Sequence, residues 1–220
     1  MAIQQIINIS NQLTIDRRKV VGVQYSRSQI QKTDLTVTKN PWRFTISAPG
    51  QPYSTMRSTI EQLNTMDRIN SETITFNNNS NLSWLFRYQG NNSTTPIGIT
   101  VSSFTGNQLV LGSLPSMSSA LYLFRAGDIV QITGKPYPFT IIQDVLRGSG
   151  STVTVTTHRP NIITTSVAGL TIVVGSAVQF SVFCPNMPTY HIIPGAYSST
   201  NGGIVEWDDS FQLYENLAGA

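Results

Sequence analysis

The sequence predicts a mainly β protein in which short strands surround one α-helix. Three observations predict it. Apolar and polar residues alternate over short segments through most of the chain, the period of a half-buried strand. Turn formers are frequent, with 16 Gly and 11 Pro in 220 residues, and they punctuate those segments at close spacing. Threonine is as frequent as all charged residues together, whereas the Glu, Lys and Ala that fill surface helices are scarce.

Residues 3–31 carry the weakest pattern. They are polar with scattered Ile and Val, contain the basic run Arg17, Arg18, Lys19 and then Arg27, and show no helical stripe and no turn-bounded strand before 20–25. A segment that buries so little does not offset its own ordering entropy. It reads either as an N-terminal arm that orders on a neighbouring subunit or as a first edge strand of the same domain. On the arm reading, removing residues 1–25 abolishes assembly and leaves the fold intact.

From Pro41, the residues Trp42, Phe44 and Ile46 alternate with Arg43, Thr45 and Ser47, which predicts a strand opened by a tolerated first-position proline. Past the breakers at 48–52, Ser54 can cap a helix in which Met56, Ile60 and Leu63 recur at i, i+4 and i+7, with Met66 near the same face. It is the only helix the pattern supports. Residues 72–76 then alternate again, with Ile74 and Phe76 on one face. After a polar turn at 77–81, Trp84, Phe86 and Tyr88 share one face of a further strand. Ile97, Ile99 and Val101 alternate, Gly106-Asn107 turns the chain, and 108–111 returns it as a hairpin. Residues 114–119 read as a linker because Pro115 and several serines break the pattern.

Beyond Leu121 the strands shorten and turns crowd together at 120–124, 129–132, 137–146 and 152–157, with 147–151 as a hairpin tip, then at 170–174 and 178–183. That cadence suggests a small β-barrel or roll. Strands at 190–193, 203–207 and 211–215 close the chain. The expected organisation is an arm at 1–30, a sheet-and-helix unit at 31–117, an inserted barrel or roll at 118–188, and C-terminal strands at 189–220 that return to the first unit.

The charge is sparse: 14 Lys and Arg, 11 Asp and Glu, 11% of the chain, and a net charge of +3. Despite a pI near 9.1, so few cations form no basic stripe, which argues against an electrostatic grip on DNA. A single cysteine cannot make an intrachain disulfide, and residues 1–10 have neither the basic nor the unbroken apolar region of an export signal, so folding in a cytosol is expected. No window approaches the roughly 18 apolar residues of a membrane span.

Chemistry-bearing constellations are few. His158 and His191 sit on separate strands without a ligand at i+2 or i+4, so no metal is expected. There is no nucleophile elbow and no phosphate loop, and Arg147-Gly148-Ser149-Gly150-Ser151 lacks the following helix that gives a glycine-rich cradle its anion site. Cys184, with no nearby cation in sequence, reads as core. Glu206, Asp208 and Asp209 are the one place where carboxylates could pair for acid–base work, and there Asp-Asp between strands reads as turn chemistry. Trp42, Phe44, Trp84, Phe86, Tyr88 and Trp207 read as core aromatics and not as a sugar-stacking platform. No catalytic residue and no cofactor is expected.

Several segments together resemble a known family. They are Lys19-Val20-Val21-Gly22-Val23-Gln24-Tyr25-Ser26-Arg27, Asn40-Pro41-Trp42-Arg43-Phe44, Leu63-Asn64-Thr65-Met66-Asp67-Arg68 and Leu82-Ser83-Trp84-Leu85-Phe86-Arg87-Tyr88-Gln89-Gly90. The later half adds Leu123-Phe124-Arg125-Ala126-Gly127-Asp128-Ile129-Val130-Gln131, Tyr137-Pro138-Phe139, the stretch from Val145 through Arg147 and Ser149 to Val155, and His158-Arg159-Pro160. The chain resembles virion structural proteins of contractile-tailed bacteriophages, including phages of cyanobacteria and marine bacteria, and among them the small tail-tube and baseplate proteins.

The resemblance implies a tail-tube-like β sandwich or barrel crossed by one helix, assembled as a homo-oligomeric six-fold ring around a channel through which DNA passes transiently. The inserted roll departs from a plain tube subunit and implies a tube-initiator-like ring at the baseplate end, meeting hub, wedge or sheath proteins. The implied location is the virion, after assembly in the host cytoplasm, without stable membrane binding. Arg17, Arg18, Lys19 and Arg27 are the candidate assembly-arm residues, and Arg147 and Ser149 the candidate insertion-loop contacts. Competing readings are a wedge or neck connector, a cell-wall hydrolase, and a carbohydrate-binding module of a baseplate or fibre. The last needs a solvent-facing row such as Tyr137, Tyr190 and Tyr197.

Overall fold

The computed structural model describes residues 2–18, 22–25, 31–34, 40–66, 70–90, 98–195 and 202–217. In chain order these form helix α1 (Ala2–Ile9), strands β1 (Gln12–Asp16), β2 (Gly22–Tyr25), β3 (Gln31–Asp34), β4 (Arg43–Ser47) and β5 (Gln51–Pro52), then helix α2 (Tyr53–Thr65). Strands β6 (Glu72–Ile74), β7 (Thr100–Thr105), β8 (Gln108–Gly112), β9 (Tyr122–Phe124), β10 (Ile129–Ile132), β11 (Phe139–Thr140) and β12 (Val145–Leu146) follow. The chain continues through β13 (Val153–Thr156), β14 (Ile172–Val174), β15 (Phe180–Phe183), β16 (Tyr190–Ile193), β17 (Ile204–Trp207) and β18 (Phe211–Glu215). The protein is mainly β, in several antiparallel sheets.

The alternation at 42–47 is realised as β4, where Phe44 and Ile46 are buried. β4 lies inside a five-stranded sheet of order β1-β4-β18-β15-β6, with Leu213 opposite Phe44 and Phe211 opposite Ile46. Helix α2 buries Met56, Ile60 and Leu63 as their spacing requires. Phe44, Phe76, Phe86 and Phe180 make tilted, stacked and edge contacts at the centre of this first core. β16, β17 and β5 form a smaller sheet beside it.

Two expectations about the first core are corrected. There are two α-helices and not one, because residues 2–9 coil into α1 with Ala2, Ile3, Ile6 and Ile7 buried. Its first amides, on Ala2 and Ile3, donate to the two carboxylate oxygens of Glu72 at 3.0 Å, which satisfies two of the donors that a helix start leaves without an intrahelical partner. Gln4 exchanges two hydrogen bonds with the backbone of Thr75. Residues 2–16 are therefore packed, and β1 takes the edge-strand alternative by pairing along β4. Residues 83–86, expected as a strand, form a 3₁₀ turn instead. The buried Asn79 side chain accepts the amides of Asn81 and Leu82 and donates to the carbonyls of Ile7 and Ser10, a local alternative to strand pairing. Phe86 stays buried while Trp84 is 65% exposed.

A second core gathers side chains from residues 88–174 together with Leu217, and the first gathers those from 2–86 and 178–213 together with Ile129 and Val173. The β7–β8 hairpin pairs through β8 with β13, Val153 facing Leu111, so it belongs to the second core. Met117, at the expected boundary, packs against that same core. β15, expected in the insertion, sits between β18 and β6 in the first sheet. Of the C-terminal strands, β17 pairs with β5, and β18 with β4 and β15.

Among the described residues no single sheet closes into a barrel; the sheets β13-β8-β7, β11-β10-β14 and β12-β9 surround the second core, and isolated bridges between Thr100 and Thr171 and between Ile141 and Thr157 join the first two of them. Residues 147–151 join β12, paired with β9, to β13, paired with β8, so they connect two sheets and are not a hairpin tip. No helix among the described residues is long and apolar enough to cross a membrane.

Because α1 is core, Ile6→Ala is expected to cost about 2–5 kcal/mol through lost burial and the cavity left behind. This reads as a lower urea midpoint at unchanged slope. Removing residues 1–25 is expected to unfold the chain, contrary to the arm reading. A truncated protein with the parent midpoint would contradict the packing of α1 and β1.

Candidate functional site

Polar chemistry converges where the two cores meet. On β18 the inward positions run Phe211, Leu213, Glu215, so the alternation delivers a carboxylate to a core position. Opposite it, just past β13, stands Arg159, whose side chain is fully buried. Its Nη1 donates to Glu215 Oε2 at 2.6 Å and its Nη2 to Oε1 at 2.7 Å. The guanidinium also donates to the carbonyls of Pro138 at 2.9 Å and Asn40 at 3.3 Å, and it lies over the Phe139 ring. Asn40 adopts φ 41°, in the left-handed region that Asn tolerates better than most residues. Trp42 completes the frame: its amide donates to Glu215 Oε2 and its indole to the Pro138 carbonyl.

Next to this pair, His158 Nδ1 accepts the Thr140 amide at 2.9 Å, and the ring meets Trp42 edge-on at 5.5 Å. Burial, then the neighbouring Arg159 and Arg17, push its pKa down to about 3. Arg17 donates to Thr140 Oγ1 and lies 5.2 Å from the centre of the Trp42 ring. Desolvation holds the Arg17 pKa below its ordinary value. A pocket of about 230 Å³ opens beside it.

A second polar station ties residues 88–90 to the second core. The buried carboxylate of Asp128 accepts the amides of Gln89 and Arg125 at 2.7 and 2.8 Å, while burial raises its pKa. Tyr88 donates to the Leu123 carbonyl, and burial followed by the charge of Asp128 pushes its pKa up to about 12. Such desolvated groups are also found at functional sites, but here their bonds go to backbone and act as latches.

The candidate residues separate in space. Arg17 is turned inward, whereas Arg18 is exposed and pairs with Asp16 at 3.0 Å. Lys19 and Arg27 lie outside the described residues. Arg147 closes its own loop through the carbonyls of Pro115, Gly148 and Gly150, with Ser149 exposed in that loop. Cys184 is buried. Trp42, Phe44 and Phe86 are core and Trp207 is half-buried, but Trp84 is not core. Tyr137 is buried and Tyr190 packs on Trp207 at 5.6 Å, so neither joins a solvent-facing row, and Tyr197 lies outside the described residues.

His191 has carboxylate neighbours that sequence spacing missed. The β16–β17 register sets it opposite Glu206, 3.4 Å from its Nε2, while Asp208 stands 2.8 Å from Nδ1. Asp208 raises the His191 pKa first by its hydrogen bond. Asp209 accepts the Ser210 amide, which is the turn chemistry expected there. No cluster of three or more His, Cys, Asp or Glu among the described residues has the arrangement of a metal site.

No protein-family model matches the chain, and no curated protein matches it.

Two tests follow from this geometry. Arg159→Met or Glu215→Gln alone is expected to cost about 3–5 kcal/mol, because the partner is left buried and uncompensated, with the double substitution costing less than the sum. Equilibrium unfolding of the four proteins measures this, and additive losses would show that the two groups do not interact.

His158 is neutral in the native state down to pH about 3 but charges near 6.5 when unfolded. Below 6.5 the unfolded chain therefore binds a proton that the native chain does not. Stability is expected to fall by up to about 1.4 kcal/mol per pH unit between 6.5 and about 4. His158→Gln should flatten that slope in urea titrations. His191, with its pKa raised, acts with the opposite sign, and on the alkaline side of that window.

Proposed function

We propose that this chain is a non-enzymatic structural subunit of a contractile bacteriophage tail, forming a ring at the distal end of the tail tube. The ring nucleates the tube or joins it to the baseplate hub, encloses the DNA channel, and contacts wedge or sheath proteins. The motifs quoted above bring the family to this reading.

One structural observation carries its assembly part. β2 and β3 pair in register, Gly22 opposite Asp34 and Tyr25 opposite Gln31, as a two-stranded sheet to which no other described strand is bonded. A two-stranded ribbon alone is marginal in water. A strand from an adjoining copy would supply the missing ladder, which is β-augmentation around a closed ring. The scarcity of charge fits, because monomers commonly guard free strand edges with Lys and Glu, and a surface rich in Thr, Ser and Asn joins across an interface with few ions to desolvate.

Replacing residues 22–34 by a Gly-Ser linker is expected to leave the urea midpoint unchanged and to abolish ring formation, read by light scattering and negative-stain imaging against the parent. A parent chain that stays monomeric with every tail partner present would overturn the assembly reading, as would a linker variant that still forms rings.

A further inference from the structure

We infer that the pocket at the junction of the two cores receives a carboxylate side chain from an extended segment of a partner protein, with Arg17 as its counter-ion. The inference rests on the junction itself and holds whichever particle the chain serves.

Arg17 is half-buried, and its partners among the described residues are the Thr140 hydroxyl and the Trp42 indole face. Among the described residues no carboxylate lies within ion-pair distance of it. Asp16, its neighbour in sequence, is paired with Arg18, and Glu215 is engaged on both oxygens by Arg159. Among the described residues the ion pairs and hydrogen bonds at the junction thus involve two guanidinium groups and one carboxylate. A cation taken partly out of water without a counter-ion is unfavourable until an anion joins it.

The space beside Arg17 gives that anion a shape. The pocket measures about 230 Å³, and its apolar lining beside Arg17 comes from Ile15, Trp42, Leu85, Phe86 and Ile129, with Gly127 completing the wall. That is smaller than the roughly 300–1,000 Å³ of sites that enclose a free small molecule, and it suits one side chain with an apolar stem and an anionic end.

Two further features favour an extended polypeptide as the carrier. Ile15 and Arg17 lie on and just after β1, which ends the five-stranded sheet and among the described residues pairs with β4 alone. A segment added along that edge sends every second side chain to the pocket side. Trp84, the most exposed large apolar residue among the described residues, is on the same 3₁₀ turn as Leu85 and Phe86 and is fixed by its indole donating to the Asn81 carbonyl at 2.8 Å. Trp and Arg are among the residue types in which binding energy concentrates at protein interfaces.

The test titrates the full chain with an end-blocked peptide of alternating Val and Thr carrying one central Glu, with the same peptide carrying Gln, and with 3-phenylpropanoate. Tryptophan fluorescence and calorimetry read the binding. The Glu peptide is expected to bind saturably and about tenfold or more tighter than the Gln peptide. Arg17→Met should erase that difference, and Trp84→Ala should weaken both peptides at an unchanged urea midpoint. If Arg17→Met does not fold, the Glu-against-Gln comparison on the parent and the Trp84→Ala variant decide alone. Equal affinity for both peptides, no binding of either, or a Glu preference that survives Arg17→Met would overturn the inference. Binding of 3-phenylpropanoate without peptide binding would overturn it in favour of a small-molecule site.

Discussion

The buried pair of Arg159 and Glu215 is the constraint on which the architecture turns. Removing two charges from water is costly, and the cost is offset only when every donor and acceptor finds a partner in good geometry. Here the two parallel bonds, the carbonyls of Pro138 and Asn40 and the Trp42 amide supply partners to both terminal guanidinium nitrogens and to both carboxylate oxygens. Each charge comes from a different core, so neither core can be completed while the other is absent. This argues for one cooperative folding unit and against two bodies swinging on a linker. Trp42 reinforces the tie, since its ring packs on Phe44 and Phe180 in the first core while its indole bonds Pro138 in the second.

What could be read in the sequence depended on how local the determinant is. β4 and α2 were legible because Trp42, Phe44, Ile46 and Met56, Ile60, Leu63 repeat at one period with nothing competing. α1 escaped because its eight residues make only two turns and its capping carboxylate, Glu72, lies about seventy residues away in sequence. Residues 83–86 escaped for a different reason. Trp84, Phe86 and Tyr88 fit a strand by spacing, and the contest was decided by Asn79, whose short side chain offers the backbone another partner. The break at 114–119 looked like a boundary because β8 finds its second partner, β13, only some forty residues later.

The junction was partly readable too. An acid at the third inward position after Phe211 and Leu213 contradicts the pattern of its own strand, and a buried charge in a strand implies a buried partner. Which cation answers it could not be read, because Arg159 reaches Glu215 across 56 residues. Arg17 misleads in the opposite sense: in sequence it belongs to a basic run, whereas the fold separates it from Arg18 by alternation, one turned to the junction and the other to solvent.

That division bears on how a chain with so few charges interacts. Glu72 caps a helix, Asp128 holds a turn, and Arg159 with Glu215 closes the junction, so some of an already small set of charges is engaged in the protein's own packing. What remains outside is mostly hydroxyl and amide, which exchange water for partner groups with less desolvation than ions do. Recognition on such a surface depends on strand geometry and a few anchors, and net charge contributes little. Among the described residues, the outer edge of β1 supplies backbone direction, Trp84 supplies apolar area for a partner to cover, and Arg17 supplies an electrostatic demand that no carboxylate answers.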